Sequence, residues 1–258
     1  MNESKRLQRL LRRQVGRCIA DFELISQGDR IMVCSSGGKD SYVLFDILES
    51  LRRRAPIRFS LIAVHLDHGF PGHDPRPLID WFEKNGFRYQ VLREDIYRLL
   101  LEKVPAGETY CPLCSRLRRG ILYNTAERLG CNKLALGHNR DDTVETLLLN
   151  LIFTGCLKAM PARLLSDDGR NTVIRPLLYA SEETISAYAR EAGFPLLSCR
   201  LYDNGKRKRR QEVKELLERL HLITPHATDN ILAAMANVRP THLLDRDLRR
   251  KLRIEQQT

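Results

Sequence analysis

A short run of small and charged residues follows an apolar stretch near the beginning of the chain. The run SGGKDS, residues 36–41, lies between the apolar residues 31–34 and a helical pattern that begins near Tyr42. Adjacent glycines permit backbone conformations that side chains forbid, and a helix start offers unpaired N–H groups to an anion. Lysine and hydroxyl groups add donors, and an aspartate is an oxygen ligand suited to magnesium. The run therefore predicts a phosphate-binding loop made of Ser36, Gly37, Gly38, Lys39, Asp40 and Ser41.

Other polar residues follow the next predicted strands. His65 lies near the end of the apolar run 59–66, and the run 133–136 is followed by Gly137, His138, Asp141 and Asp142. Because the carboxyl ends of parallel strands meet at one edge of a sheet, we expect these residues beside the loop. Asp141 is a candidate catalytic residue together with Lys39 and Asp40. An alternative stays open for Asp141 and Asp142, because carboxylates at a helix start also stabilise the helix dipole.

Two cysteines, Cys111 and Cys114, form a C-x-x-C pair at the predicted start of a helix with several arginines. A helix N-terminus and nearby arginines lower thiol pKa values, so the pair is suited to metal binding or redox chemistry. Three readings stay open: a redox dithiol, a zinc site completed by other residues, or an iron–sulfur cluster completed by a distant cysteine. Cys199 is the best distant candidate. The remaining cysteines are interpreted as small buried residues, namely Cys18, Cys34, Cys131 and Cys156.

The chain has 258 residues, a formal net charge of +11 and a sequence pI of about 9.5. Such a basic balance favours a polyanionic partner, most simply a nucleic acid. The N-terminus lacks the apolar core of a secretory signal, and no apolar run is long enough to span a bilayer. We therefore expect a cytoplasmic protein without a membrane partner. In that compartment its seven cysteines are thiols or metal ligands rather than disulfides.

The hydrophobic pattern alternates between short apolar runs and helical periodicity. The apolar runs predict strands at about 30–35, 59–66, 87–92, 133–136 and 172–174. Helical periodicity predicts helices at about 4–27, 40–54, 76–85, 113–129, 141–153, 181–192, 207–221 and 226–237. This alternation predicts an α/β fold, a doubly wound parallel sheet of about five strands with helical extensions at both ends. We expect a basic N-terminal helix at 1–28, an α/β domain at 29–195 that carries the C-x-x-C pair, and a basic helical extension at 196–258 packed on it.

The loop and six further segments resemble one known family. Residues 36–41 resemble the PP-loop of ATP pyrophosphatases, and the wider chain resembles the tRNA 2-thiocytidine synthetase (TtcA) family within that superfamily. The matching segments cover most of the chain and are residues 36–41 (SGGKDS), 111–123 (CPLCSRLRRGILY), 136–142 (LGHNRDD), 157–161 (LKAMP), 164–169 (LLSDDG), 173–177 (VIRPL) and 237–244 (NVRPTHLL). One departure stands at Tyr202, where many members have a further cysteine.

The resemblance implies an ATP-dependent sulfurtransferase that thiolates C2 of cytidine 32 in tRNA through an adenylated intermediate. It implies ATP, Mg²⁺ and a 4Fe-4S cluster held by Cys111, Cys114 and Cys199, with one iron left open. Asp40 is the expected magnesium ligand. The expected ATP and pyrophosphate contacts are the loop residues with His65, Gly137 and His138. The expected tRNA contacts are Lys206, Arg207, Lys208, Arg209, Arg210, Arg116 and Lys158. The family also implies a cysteine desulfurase as sulfur donor and a homodimer.

Alternatives from other classes remain at this point. Another PP-loop enzyme of tRNA modification, such as a 2-thiouridine or lysidine synthetase, shares the loop and the tRNA partner. A lysidine synthetase has no need of the three cysteines. A tRNA-binding module with a vestigial ATP loop would bind tRNA without releasing pyrophosphate.

Overall fold

The structure, a computed structural model, describes residues 2–105, 110–166, 168–197 and 206–252, with the backbone alone at 111, 112, 206 and 207. Six strands form one sheet in the order β3-β2-β1-β4-β6-β5. All neighbouring pairs are parallel except β5 and β6, which are antiparallel. The strands are β1 (Arg30–Cys34), β2 (Ser60–Asp67), β3 (Tyr89–Arg93), β4 (Lys133–Ala135), β5 (Arg163–Leu165) and β6 (Thr172–Ile174).

Helices connect most of these strands. Within the ranges given above they are α1 (Glu3–Asp21), α2 (Lys39–Arg52), α3 (Arg76–Lys84), α4 (Ile96–Lys103), α5 (Cys111–Arg128), α6 (Arg140–Thr154), α7 (Glu182–Ala192), α8 (Lys206–Ile223), α9 (Ala227–Ala236) and α10 (Arg246–Lys251), with a 3₁₀ turn at Pro240–His242. None of the helices in the described ranges combines the length and apolar character that a membrane crossing requires.

Two apolar cores cover the sheet because successive strand residues point to opposite faces. Ile31 and Val33 of β1 pack with α1, α2, α3 and α7. Met32 of β1 packs instead with β2, α4 and α5. This burial on both faces is the reason that the strands read as continuous apolar runs. The doubly wound parallel sheet predicted from the sequence is confirmed.

The structure corrects some of the predicted elements. The sheet has a sixth strand, β5, which the sequence pattern did not indicate because three exposed residues carry no clear period. Helix α4 was also missed, although Asp95 caps its first turn by accepting from the amide of Arg98. The predicted end of the first helix near residue 27 is wrong. The helix ends at Asp21, and Glu23 turns the chain with a φ of 50°.

The chain divides into two compact units, Met1–Val213 and Lys214–Thr258. The first unit contains the whole sheet together with α1 to α7. Leu7, Leu11, Val15 and Cys18 of α1 are buried in the same core as α2 and α7. Helices α9 and α10 belong to the second unit. The segment boundaries expected at residues 28 and 195 stay predictions.

A buried ion pair lies near the beginning of β1 and β4. Lys133 Nζ is 2.6 Å from Asp29 Oδ2 and donates to the carbonyl of Leu24 at 2.8 Å. Asp29 also accepts from the Ser26 amide at 2.6 Å and from Asn132 Nδ2 at 2.7 Å. Burial opposes ionisation of Asp29, but the hydrogen bonds from Lys133, Ser26 and Asn132 lower its pKa overall. The pair therefore stabilises the fold only while Asp29 is ionised.

We expect Lys133→Met to lower the free energy of unfolding by about 3 kcal/mol at pH 7, because it leaves a buried carboxylate unpaired. A lowered folded-state pKa stabilises above the unfolded pKa, and this contribution is lost as the pH falls through the folded value. The difference between variant and wild type should therefore shrink on acidification, as measured by urea unfolding at several pH values. The exposed Lys84→Met is the control and should change stability by less than about 0.5 kcal/mol. A penalty independent of pH would contradict this account.

Candidate functional site

The predicted phosphate loop joins the end of β1 to the beginning of α2. Gly37 has a φ of 81°, which is the left-handed region that favours glycine. Ser41 Oγ donates to the carbonyl of Gly38 at 2.8 Å, and the amide of Gly38 donates to Ser36 Oγ at 3.3 Å. Gly38 is the N-cap of α2 and provides no side-chain cap. The first turn of α2 therefore presents backbone N–H groups to an anion.

Side chains tie the beginnings of three helices together beside this loop. Lys39 of α2 lies 3.1 Å from Asp40 Oδ2 and 3.1 Å from Glu182 Oε1 of α7. Asn139, the N-cap of α6, donates its Nδ2 to Asp40 Oδ1 at 3.0 Å. Asp141 of α6 accepts from the amide of Glu182 at 2.7 Å. Helices α2, α6 and α7 thus place their positive dipole ends around one spot.

Lys39 is held as a cation in this arrangement. Burial opposes its positive charge, but Asp40 and Glu182 raise its pKa overall. A phosphate that displaces these carboxylates would meet a protonated ammonium group. Glu182 was not among the residues singled out from the sequence, because only the fold brings α7 to the loop.

The two acidic residues at the beginning of α6 have different partners. Asp142 and Asn139 form a reciprocal capping box, with distances of 3.2 and 3.0 Å. Asp141 instead caps the neighbouring helix α7 through the amide of Glu182. Both carboxylates therefore have helix-capping bonds, and a catalytic role for Asp141 stays a prediction.

A cleft of about 240 Å³ opens at the carboxyl ends of β1, β2 and β4. The strand order reverses between β1 and β4, and α/β proteins bind ligands at such a switch point. Gly137 packs closely on the loop, since a Cβ there would lie 3.2 Å from the carbonyl carbon of Asp40. The cleft is lined by Cys34, Ser35, Ser36, Asp40, Ser41, Val64, Leu66, His68, Arg118, Leu122, Leu136, Gly137 and His138.

Ser35, His68 and Arg118 add polar groups to this lining, and Arg118 was not expected there from the sequence. Ser35 Oγ and His68 Nε2 are buried and have no hydrogen-bond partner among the described residues. Burial, followed by the charge of Arg118, lowers the pKa of His68 to about 4, so its ring is neutral at pH 7. Arg118 lies four residues after Cys114 on α5. That helical spacing is the signal that would have placed it on the same face.

His65 lies behind the cleft rather than on its wall. It is 2% exposed, and its Nδ1 is 2.7 Å from the carbonyl oxygen of Ser35. Its Nε2 is 2.9 Å from His73 Nε2, and burial lowers the pKa of His65. The structure thus gives His65 contacts that position the beginning of the loop. Its expected contact with ATP stays a prediction.

The C-x-x-C pair occupies the first turn of α5, with Cys111 as its first residue. Cys114, in the first turn of α5, is buried in the core that α5 shares with α4. Cys199 lies outside the described residues, and so does Tyr202. Among the residues that are described, no group of three or more His, Cys, Asp or Glu side chains is placed to hold a metal. Cys34, by contrast, lines the cleft, and burial raises its pKa to about 12.

The basic residues expected to contact tRNA differ in their side-chain contacts. Lys158 and Arg116 are exposed, and so are Lys208 and Arg209, while the side chains of residues 206 and 207 are outside the description. Arg209 lies over the ring of Phe153 at 5.0 Å. Arg210 differs, because its Nε is 3.0 Å from the buried Glu145 and its Nη2 is 3.7 Å from Asp142. Arg210 therefore anchors α8 to α6.

Comparison with known proteins gives a consistent picture. A family model described as a PP-loop domain matches residues 7–198. A tRNA-cytidine(32) 2-sulfurtransferase from Sorangium cellulosum (strain So ce56) is 51% identical over 249 residues, which are 96% of this chain and 88% of that protein. One from Anaeromyxobacter sp. (strain K) is 51% identical over 252 residues, 98% of this chain and 87% of that protein.

A solved structure shares the fold. The U34-tRNA thiolase NcsA from Methanococcus maripaludis, with its 4Fe-4S cluster, aligns with a TM-score of 0.71 and 20% identity. The alignment covers 98% of this chain and 81% of that protein. At this identity the likeness concerns the fold.

Leu197 packs against the phosphate loop at Gly37. The amide of Leu197 donates to the carbonyl of Gly37 at 2.9 Å, and a Cβ on Gly37 would lie 2.6 Å from the Leu197 side chain. We expect Gly37→Ala to weaken the binding of magnesium pyrophosphate at least tenfold in calorimetry, because it strains the left-handed backbone and displaces Leu197.

Gly28→Ala is the matched control for this substitution. Gly28 has a similar φ of 86° but no atom within 4 Å of the added Cβ. It should lower stability by about 1 kcal/mol, the strain of a left-handed residue, and leave ligand affinity unchanged. The double variant Gly37→Ala with Leu197→Gly should regain part of the affinity. Equal effects of the two alanines on pyrophosphate binding would disprove the role of the Leu197 contact.

Proposed function

This chain belongs to the PP-loop family and, within it, to the tRNA-cytidine(32) 2-sulfurtransferases, and we propose that it thiolates C2 of cytidine 32 in tRNA after activation by ATP. The observation that carries the proposal is the composition of one cleft. The phosphate loop forms one wall through Ser36, Asp40 and Ser41. Helix α5, which begins with the C-x-x-C pair, forms another through Arg118 and Leu122.

The loop residues account for the activation step. Oxygen O2 of cytosine attacks the α-phosphorus of ATP, the bond to the bridging oxygen breaks, and pyrophosphate leaves with the electron pair. The open amides at the beginning of α2 and the ammonium of Lys39 would stabilise that pyrophosphate. AMP would later leave with the former O2. An adenylated base is needed because the cytosine carbonyl is a poor electrophile with a poor leaving group.

Magnesium fits the donor set of the loop. Asp40 lines the cleft beside the hydroxyl groups of Ser36 and Ser41, and oxygen is the ligand atom that magnesium prefers. Asp40 would hold the ion against the phosphates. When bound, magnesium offsets the negative charge that develops on them.

An iron–sulfur cluster fits the beginning of α5. Cys111 and Cys114 lie about one turn apart, and the N-cap Tyr110 supplies no side-chain cap, so the positive end of the helix is available to thiolates. Cys199 would be the third ligand. When bound, the cluster would present the exogenous sulfide that replaces O2. Arg118, which follows on the same helix, would stabilise negative charge in the cleft.

Transfer RNA is the expected polyanionic partner of this basic chain. The target base must leave its stack to enter the cleft, which a single-stranded anticodon loop permits at small energetic cost. The exposed Lys158, Arg116, Lys208 and Arg209 are the proposed phosphate contacts, together with Lys206 and Arg207. A cysteine desulfurase as sulfur donor and a homodimeric assembly remain parts of the proposal.

The central experiment is a thiolation assay with anaerobically reconstituted protein, tRNA, ATP, magnesium and sulfide. We expect 2-thiocytidine at position 32 with AMP and pyrophosphate in equal amounts. Cys114→Ala should lose both iron absorbance and product. Cys131→Ala is the matched control, because both thiols are 7% exposed in the same core, and it should keep both. Iron-free protein that still thiolates tRNA would exclude the cluster, and wild type without product would exclude the function.

The salt dependence of tRNA binding distinguishes residues that contact RNA from Arg210, which anchors α8 to α6. Lys208→Ala should reduce the slope of log affinity for tRNA against log salt by about 0.7–0.9 and leave the melting temperature unchanged. Arg210→Ala should lower stability by about 1–2 kcal/mol, because it removes a partly exposed partner of the buried Glu145. Glu145→Gln in the Arg210→Ala background should restore part of the loss. If Arg210→Ala reduced the slope by the same amount, about 0.7–0.9, without lowering stability, Arg210 would be a phosphate contact rather than an anchor.

A further inference from the structure

A buried arginine, Arg175, lies just after β6. Arg175 is 8% exposed, its Nη1 donates to the carbonyl of Pro161 at 2.7 Å, and its Nε donates to His138 Nδ1 at 3.3 Å. Burial lowers the pKa of Arg175, but a guanidinium stays protonated in proteins. Within the described parts of the chain, no carboxylate forms an ion pair with it. An unpaired buried cation is unfavourable, and such groups are found where a function requires them.

Lys133, a second deeply buried cation, has an acidic partner. Lys133 is 5% exposed and is matched by Asp29 at 2.6 Å. It lies near the beginning of the sheet strands, away from the loop, and stabilises the fold. Arg175 lies near the carboxyl ends of the strands, beside the cleft. Its Nε–H donates to the unprotonated Nδ1 of His138. This contrast indicates that the charge of Arg175 serves the site.

The hydrogen bond from Arg175 fixes the proton of His138. A neutral imidazole carries one proton, and the nitrogen that accepts a hydrogen bond is the one without it. Since Nδ1 accepts from Arg175, the proton of His138 is on Nε2. Burial, followed by the charge of Arg175, lowers the pKa of His138 and keeps the ring neutral. Arg210 of α8 also lowers this pKa, whereas Asp142 and Asp40 raise it.

His138 stands next to the phosphate loop. It lines the cleft together with Ser36, Asp40 and Ser41, and the preceding Gly137 packs against the backbone of Asp40. If the loop holds the departing pyrophosphate, the α-phosphorus comes next along the nucleotide toward the cleft. No hydrogen bond joins His138 Nε2 to another described residue, so its N–H is a donor suited to an oxygen at that place.

We propose that Arg175 is a positioning residue that fixes the Nε2–H tautomer of His138, and that His138 donates this hydrogen bond to a non-bridging oxygen of the α-phosphate during adenyl transfer. The inference rests on the proposed function. As the bond from O2 to phosphorus forms and the bond to pyrophosphate breaks, negative charge grows on that oxygen. His138 keeps its proton throughout, and the electron pair leaves on pyrophosphate. A fixed donor of this kind contributes about 10²–10³ in rate.

The tautomer is measured without any activity. Two-bond ¹H–¹⁵N correlation on the ¹⁵N-histidine-labelled full chain distinguishes the Nε2–H from the Nδ1–H form, and His138→Gln identifies the resonance. We expect the Nε2–H form in the wild type and a loss of that preference in Arg175→Met. Arg175→Lys should retain it less well than wild type, because lysine lacks the planar fork. An Nδ1–H form in the wild type, or an unchanged pattern in Arg175→Met, would overturn the inference.

Single-turnover thiolation tests the donor itself. We expect His138→Ala to lower the rate about 100-fold with unchanged affinity for tRNA, and His138→Gln to lower it less, because the amide keeps a donor near the Nε2 position. Arg163→Met, an exposed change on β5, is the control and should keep full rate. Equal losses in His138→Gln and His138→Ala would overturn the inference. An inactive wild type would instead contradict the proposed function, and the tautomer measurement would still decide the role of Arg175.

Discussion

The convergence of three helix N-termini is the constraint on which the site depends. Helices α2, α6 and α7 begin at the same edge of the sheet, and each carries partial positive charge on its first amides. Asp40, Asp141 and Glu182 lie among these helix starts and moderate the repulsion. Asn139 joins two of the helices through Asp40. A polyphosphate has the negative charge and the number of acceptors to bind among these helix starts, which fits the proposed nucleotide site.

The cleft lies where the two cores of the protein meet. Helices α2 and α7 belong to the core on one face of the sheet, and α5 belongs to the core on the other. Beyond the carboxyl ends of the strands, residues from both faces of the sheet line one space. This explains why Ser41 of α2 and Arg118 of α5 share a cleft although 77 positions separate them in the chain. The proposed activation of a base and delivery of sulfur would require that proximity.

Buried charge is distributed unequally between the two ends of the sheet. Near the beginning of the strands, Lys133 and Asp29 neutralise each other and contribute to stability. At the carboxyl end, no carboxylate of the described residues pairs with Arg175, and the rings of His138 and His68 are kept neutral by burial and by nearby arginines. The first arrangement stabilises the fold, and the second leaves a positive charge that a negatively charged ligand would neutralise. The difference marks the carboxyl edge as the functional one.

The sequence by itself determined five of the six described strands, the alternation of α and β elements and the phosphate loop, because apolar runs, helical periodicity and Gly37-Gly38 are local signals. It also indicated the C-x-x-C pair at the beginning of a helix. The sequence did not indicate β5, whose three residues are too few to show a period. It could not tell that Glu182 pairs with Lys39, that His65 lies behind the cleft while His68 lines it, or that Arg210 binds Glu145. Those outcomes depend on distances between residues far apart in the chain, and only packing of the helices on the sheet decides them.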